Sequence, residues 1–204
     1  PEKPIVENVE LDLTAEGYAL CVVDTGGNHA DLTADYAAIP AEMKQVANFF
    51  GKEYLRDVDE AEFYNNISTL RRATSDRAVL RAMHFFDDDR LAYEEAQALR
   101  NKDFDSFLKM VNTSGRSSYD RLQNVFSPTS PAEQGISLAL TISEFLLNGR
   151  GACRVHGGGF AGTIQAYVPF DILDSYRAGI EKVFGEGSCY VLSVRSCGGV
   201  KVEK

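Results

Sequence analysis

A chain of 204 residues, 44% hydrophobic and 25% charged, is long enough to bury roughly 70% of its unfolded surface, and its composition excludes disordered and fibrous classes. Thirty acidic residues against 21 basic ones leave a net charge of −9, a field that repels phosphate backbones and anionic lipid alike. No nucleic acid and no membrane is therefore expected as a partner.

The apolar stretches, such as residues 136–147, fall short of the roughly 20 residues a spanning helix needs. With no charged-then-apolar leader either, a cytoplasmic protein is expected. Cys21, Cys153, Cys189 and Cys197 form no Cys-x-x-Cys pair and no zinc pattern, so buried free thiols are expected. The first residue is Pro1 rather than Met, and the chain is expected to be a piece cut from a longer one.

In chain order, residues 5–13 alternate in strand fashion through Val6, Val9, Leu11 and Leu13, and Glu16-Gly17 turns the chain into a second, buried strand, Tyr18-Ala19-Leu20-Cys21-Val22-Val23. That strand ends in Asp24-Thr25-Gly26-Gly27-Asn28, residues that tolerate positive φ and close backbone approach. From Thr33 to about Asn148 the period becomes helical. Met43, Val46 and Phe50 recur at steps of three and four, as do Val79, Met83 and Phe86, and then Phe104, Phe107 and Val111.

Within the helical stretch, His84 and Asp87 are spaced to hydrogen-bond as a structural pair. The run Asp87-Asp88-Asp89 points its carboxylates about 100° apart and cannot converge on one ion. Ser114-Gly115-Arg116-Ser117-Ser118 suits either a helix bend or a polar-ligand contact. Ser130-Pro131-Ala132-Glu133 has the form of a capping box with proline at the first helical position. The helix it predicts is apolar on most sides through Leu138, Leu140, Ile142, Phe145 and Leu146, is expected to be buried, and stops at Asn148-Gly149.

Beyond it the period changes again. Residues 151–155 form a short predicted strand, and residues 163–168 another, with Ile164, Ala166 and Val168 on one face. Leu173, Tyr176, Ile180 and Val183 mark an amphipathic helix ended by Gly185, and residues 189–194 a last strand. Strand, helical insert, strand, strand, helix, strand is the outline of an α+β fold with a ferredoxin-like split βαβ sheet and a helical insertion. Its expected parts are residues 1–30 completing the sheet, 31–149 mainly helical, and 150–204 a β-loop-β-α-β unit.

The loop joining the two middle strands is Gly157-Gly158-Gly159-Phe160-Ala161-Gly162. Four glycines within six residues let a backbone approach another chain segment or a phosphate directly. The loop opens no helix and carries no Lys-Ser/Thr, so it is neither of the common nucleotide fingerprints. By itself it is either a packing hairpin or an active-site loop.

Set in context, the stretch Gly151-Ala152-Cys153-Arg154-Val155-His156-Gly157-Gly158-Gly159-Phe160-Ala161-Gly162 resembles the third motif of the galactokinases. These belong to the GHMP kinase superfamily with homoserine, mevalonate and phosphomevalonate kinases. Val23-Asp24-Thr25-Gly26-Gly27-Asn28-His29 followed by Tyr36 is similar to the family's strand, polar turn and sugar-contacting tyrosine. The resemblance covers nearly the whole chain and is to the C-terminal half of the family's proteins. Val155 and His156 stand where Met and Thr are common, Ala161 replaces a glycine, and no Asn-x-Arg-Arg follows Tyr36.

The resemblance implies a sugar kinase using ATP and Mg²⁺ to phosphorylate galactose at its C1 hydroxyl. It implies Tyr36 as the substrate-binding residue and Gly157, Gly158, Gly159 and Gly162 as a loop closing the phosphate site, with Gly158 and Gly159 packed against an upstream phosphate loop. The family's catalytic Arg and Asp and its Gly/Ser-rich phosphate loop precede the matched region, so no catalytic residue or metal ligand is carried over. The N-terminal half of the same enzyme is the expected partner. The alternatives are a non-catalytic galactose and nucleotide sensor on the same scaffold, another GHMP small-molecule kinase, or a free-standing α+β interaction domain whose glycines only make a hairpin.

Overall fold

The second predicted strand forms as expected, as β1 (Tyr18–Asp24), with every other residue buried and Cys21 and Val23 fully so. The computed structural model describes residues 6–27, 32–160 and 162–193. The expectations that fall on Ile5, Asn28, His29, Ala161, Val194 and Cys197 lie outside the described residues.

After β1 the chain runs through α1 (Thr33–Phe49), α2 (Glu60–Asn65), α3 (Ile67–Ala73), α4 (Asp76–Arg100) and α5 (Phe104–Ser117). It then forms α6 (Gly135–Leu147), β2 (Ala152–His156), β3 (Thr163–Pro169), α7 (Leu173–Phe184) and β4 (Cys189–Leu192). The four strands make one sheet in the order β2-β3-β1-β4 with antiparallel pairings throughout, Cys21 opposite Ala166 and Cys153 opposite Ala166 on its other side. That order and direction are the ferredoxin-like arrangement, with α1 to α5 inserted between β1 and the helix that leads into β2.

Period-two burial selects the sheet's core face. Cys21, Val23, Ile164, Ala166 and Val168 have no exposed surface, and Ile136, Tyr176 and Ile180 from α6 and α7 close over them. Each such aliphatic side chain contributes about 1.5–3 kcal/mol by leaving water. Tyr176 is buried as well, with its hydroxyl hydrogen-bonded to Ser143 at 2.8 Å. On the other face, Phe104, Phe107 and Val111 pack against Ala152 and Tyr167. A separate core of Val46, Phe63, Leu70, Val79 and Phe86 holds α1, α2, α3 and α4 together.

Three expectations are corrected. Residues 6–12 form no strand, and Val6 is 86% exposed, because alternation alone supplies no neighbour to pair with. The capping box at Ser130 does not start a helix. There the Glu133 N–H bonds the Ser130 carbonyl in a turn, Gln134 departs from helical ψ, and α6 begins at Gly135. Helix α6 is also buried on one side only, since Leu138 is 49% and Phe145 81% exposed. Its end is as expected, with Asn148 in the left-handed conformation at the cap.

The remaining sequence pairings resolve in space. Asp87 pairs with Arg90 and Arg121 rather than with His84, Asp88 accepts from Ser114, and Asp89 pairs with Arg56. The run therefore splits three ways. His84 is buried and bonds Ser117 Oγ through Nδ1 at 3.0 Å, with Asp88 3.9 Å from Nε2. Arg121 wins Asp87 because α5 ends in a π-helical turn, Ser118–Leu122, which swings that guanidinium back over α4. The serine-rich segment is the last turn of α5, Ser114 to Ser117, with Ser118 opening the π-helical turn.

Burial pushes the His84 pKa down, with Asp88 pushing back and Arg154 and Arg121 reinforcing the shift. The unfolded chain protonates its histidine near the ordinary value of about 6.5, whereas the folded protein does so only at lower pH. Between the two the unfolded state binds more protons, so His84's contribution is full above about pH 6.5 and is lost as pH falls. Thermal melts at pH 7.5 and 5.5 are expected to show a smaller acid-induced loss in His84→Gln than in the parent. An equal loss would place the titration elsewhere.

Candidate functional site

The glycine loop is built by the hairpin between β2 and β3, which ends its ladder at His156 opposite Thr163. Beyond that pair the loop is fixed from three directions by residues distant in sequence. Tyr36, in the first turn of α1, donates its hydroxyl to the Gly159 carbonyl at 2.9 Å. Its ring lies over Gly158 so closely that a Cβ there would stand 2.6 Å from Cε1. The same ring meets Phe160 edge-on, with centroids 5.1 Å apart and planes at 86°.

Asn124 forms the second wall. Its carbonyl accepts the Phe160 N–H at 2.5 Å and its side-chain amide donates to the Gly158 carbonyl at 3.3 Å. Gly159, at φ +82°, presses against it, and a Cβ at that position would lie 2.0 Å from the Asn124 carbonyl oxygen. The third tie is Thr25, just past β1, whose hydroxyl donates to the Gly162 carbonyl at 2.8 Å.

Phe160 itself has φ +62°, a conformation that costs a residue with a Cβ about 1–2 kcal/mol. Its ring is only 4% exposed, and burial of that order, about 1.5–3 kcal/mol, offsets the strain. The carbonyls of Gly158 and Gly159 are thereby turned toward protein donors. The N–H groups of Gly157 and Gly158 have no acceptor among the described residues. Backbone amides without a protein acceptor are a feature that suits an anion.

Tyr36, Gly157, Gly158 and Gly159 are therefore brought together, with Gly162 tied to the end of β1. A Cβ at Gly158 would meet Tyr36, and one at Gly159 would meet Asn124. Burial pushes the Tyr36 phenol pKa up, so at neutral pH its proton stays available to the Gly159 carbonyl. Asn124 gave no signal in the sequence, since it lies between helices in a stretch without period. Thr25 lies in the stretch that follows β1, but nothing local marked it as a partner of residue 162.

Two neighbouring ties brace these walls. Ser127 Oγ donates to Asp35, next to Tyr36, at 2.6 Å. Arg81 on α4 donates to Glu42 on α1 at 2.9 Å and to the Leu122 carbonyl at 3.1 Å. A separate cleft of about 810 Å³ lies between α5 and α6 and is lined by Asn112, Arg116, Tyr119, Glu144 and Cys153; it includes neither Tyr36 nor the loop. Cys21, Cys153 and Cys189 are buried free thiols, and burial pushes Cys153 up to about 12. No helix among the described residues is long and apolar enough to cross a membrane.

The antiparallel sheet, its helical insertion and the glycine loop together form an α+β fold shared with a solved galactokinase structure. In sequence, the curated proteins this chain is similar to include galactokinases. One from Haemophilus influenzae is 29% identical over 159 residues, covering 78% of this chain and 39% of its own length. One from Actinobacillus pleuropneumoniae serotype 3 is 28% identical over 161 residues, covering 79% and 40%. The structure of Lactococcus lactis galactokinase complexed with galactose has a TM-score of 0.69 at 21% identity, covering 90% of this chain and 46% of that one. No protein-family model matches the chain. The chain spans about 40% of the length of the curated relatives it matches.

Proposed function

We propose that this chain is the C-terminal part of a galactokinase, and that with the remaining part it transfers the γ-phosphoryl group of ATP to the C1 hydroxyl of galactose. The observation that carries this reading is the convergence of Tyr36 on Gly158 and Gly159 in a chain whose relatives are galactokinases. In the reaction the sugar oxygen bonds to phosphorus, the bond to the β-phosphate bridge breaks, ADP leaves, and the hydroxyl proton passes to solvent or to a base outside this chain.

The reading of the glycine loop as closing on a phosphoryl group is supported by its Gly157 and Gly158 amides, which have no acceptor among the described residues. Mg²⁺, when bound with ATP, offsets phosphate charge. Among the described residues no three His, Cys, Asp or Glu side chains cluster to hold a metal. Acceleration in such a transfer comes from positioning and electrostatics. This chain supplies positioning of the sugar through Tyr36 and closure of the phosphate site through Gly157, Gly158, Gly159 and Gly162.

A coupled assay on the complete protein with ATP and a panel of hexoses tests the reading, and galactose-dependent ADP release is expected. Galactose and nucleotide binding without turnover would replace the kinase by a sensor, and no binding of either would reduce the loop to a hairpin. The 204-residue chain alone is expected to phosphorylate nothing.

Tyr36→Phe removes the donor to Gly159 and the group assigned to the sugar. In the complete protein it is expected to raise the galactose KM by the worth of one hydrogen bond, about 0.5–1.5 kcal/mol. An unchanged KM for every hexose would remove Tyr36 from the sugar site.

A further inference from the structure

We infer that Asn124 is a positioning residue for the glycine loop: it holds the Gly157–Phe160 turn so that its amides face a phosphoryl group, without touching that group itself. The inference rests on the kinase reading of the loop. Asn124 is 3% exposed and contacts three consecutive loop residues, through the Phe160 N–H, the Gly158 carbonyl and the face of Gly159. It shares the loop with Tyr36, and the two divide the carbonyls between them, Gly158 to Asn124 and Gly159 to Tyr36.

An unusual backbone path delivers Asn124 to this place. The π-helical turn Ser118–Leu122 is followed by Gln123 at φ +58°, and the Gln123 N–H closes back on the Ser118 carbonyl at 2.8 Å. The buried Arg81 guanidinium then pins the Leu122 carbonyl. A π turn and a left-handed residue in succession are costly features that persist where the surroundings over-determine them, and both recur at functional sites. Here their product is the placement of one asparagine under the loop.

Of the two polar atoms of the Asn124 amide, only Nδ2 is used. Oδ1 is buried and has no donor among the described residues. A buried acceptor left unpaired is unfavourable, so stability alone does not account for an amide at this position. Its donor, aimed at Gly158, does.

Asn124→Leu keeps the branched shape against Gly159 and the backbone bond to Phe160 while removing the donor, and Asn124→Ala is a second variant should Leu fail to fold. In the complete protein, amide NMR signals of Gly157 and Gly158 are expected to shift when MgADP is added, and galactose to bind with its own dissociation constant. The variant is expected to weaken MgADP binding about tenfold, the order of one hydrogen bond to a preorganised loop, with the galactose constant unchanged within about twofold.

Parent loop amides that ignore MgADP would overturn the kinase reading of the loop. Parent amides that respond, with MgADP binding unchanged in the variants, would overturn the role of Asn124 alone. Nucleotide and galactose constants rising together would mark a merely structural residue and overturn it as well.

Discussion

Gly159→Ala is expected to destabilise the protein by about 2–5 kcal/mol. Two costs add. The backbone at φ +82° is one that a residue with a Cβ adopts at about 1–2 kcal/mol, and the new methyl would stand 2.0 Å from the Asn124 carbonyl oxygen and 2.8 Å from its Nδ2. The nearer of the two is backbone, which no side-chain rotation can move away. Overpacking of that kind costs about 1–3 kcal/mol, and relief by moving the loop would break the Phe160 and Tyr36 bonds.

Gly157→Ala provides the control. Its φ of +66° carries a similar backbone cost, but nothing lies within 4 Å of the added Cβ. For a chain of this size each kcal/mol moves the melting temperature by about 2–4 °C, so denaturant and thermal melts of the two variants separate strain from clash. Equal losses would show that Gly159 does not press on Asn124 in solution.

The second large effect is expected at Glu42. Arg81 has a side chain only 3% exposed and Glu42 one 13% exposed, while Arg77 bonds the same carboxylate through Nε and Nη2. Burial pushes the Arg81 pKa down and Glu42 pushes it back up; the guanidinium stays charged at any working pH. Glu42→Gln leaves that charge buried without its counter-ion, which costs about 3–5 kcal/mol. Removing the exposed Arg56–Asp89 pair, with side chains 72% and 51% exposed, is expected to cost less than about 1 kcal/mol.

The double variant Glu42→Leu with Arg81→Met discriminates further, because replacing both partners removes the uncompensated charge. Recovery of most of the stability is expected, and high salt is expected to matter little, since buried pairs are poorly screened. A double variant no better than Glu42→Gln would mean that the Arg81 bond to the Leu122 carbonyl, not the ion pair, holds α1 to the residues ahead of Asn124. In either case the loss should reach the loop, since Tyr36 and Asn124 sit on the two segments that Arg81 joins.

Sequence alone determined the elements whose signals are local. Strand β3 shows its burial in its alternation, α7 in its three-and-four spacing, and α6 in its stop at Asn148, where a left-handed residue ends any helix. Resemblance singled out Tyr36 and the glycine loop, but not their contact, which only the structure shows. What it misjudged were elements whose fate depends on partners. Residues 6–12 have strand alternation but no strand beside them, and the Ser130 capping box lost to a tight turn.

The inner walls of the site belong wholly to tertiary structure. Asn124 meets the loop across 34 residues, Tyr36 across 123 and Thr25 across 137. The period of an element records which face it buries, but not which distant backbone will lie against that face. Only the assembled antiparallel sheet, with α1 and the π-helical turn braced on α4 by Arg81, decided that the glycines would have Tyr36 on one side and Asn124 on the other.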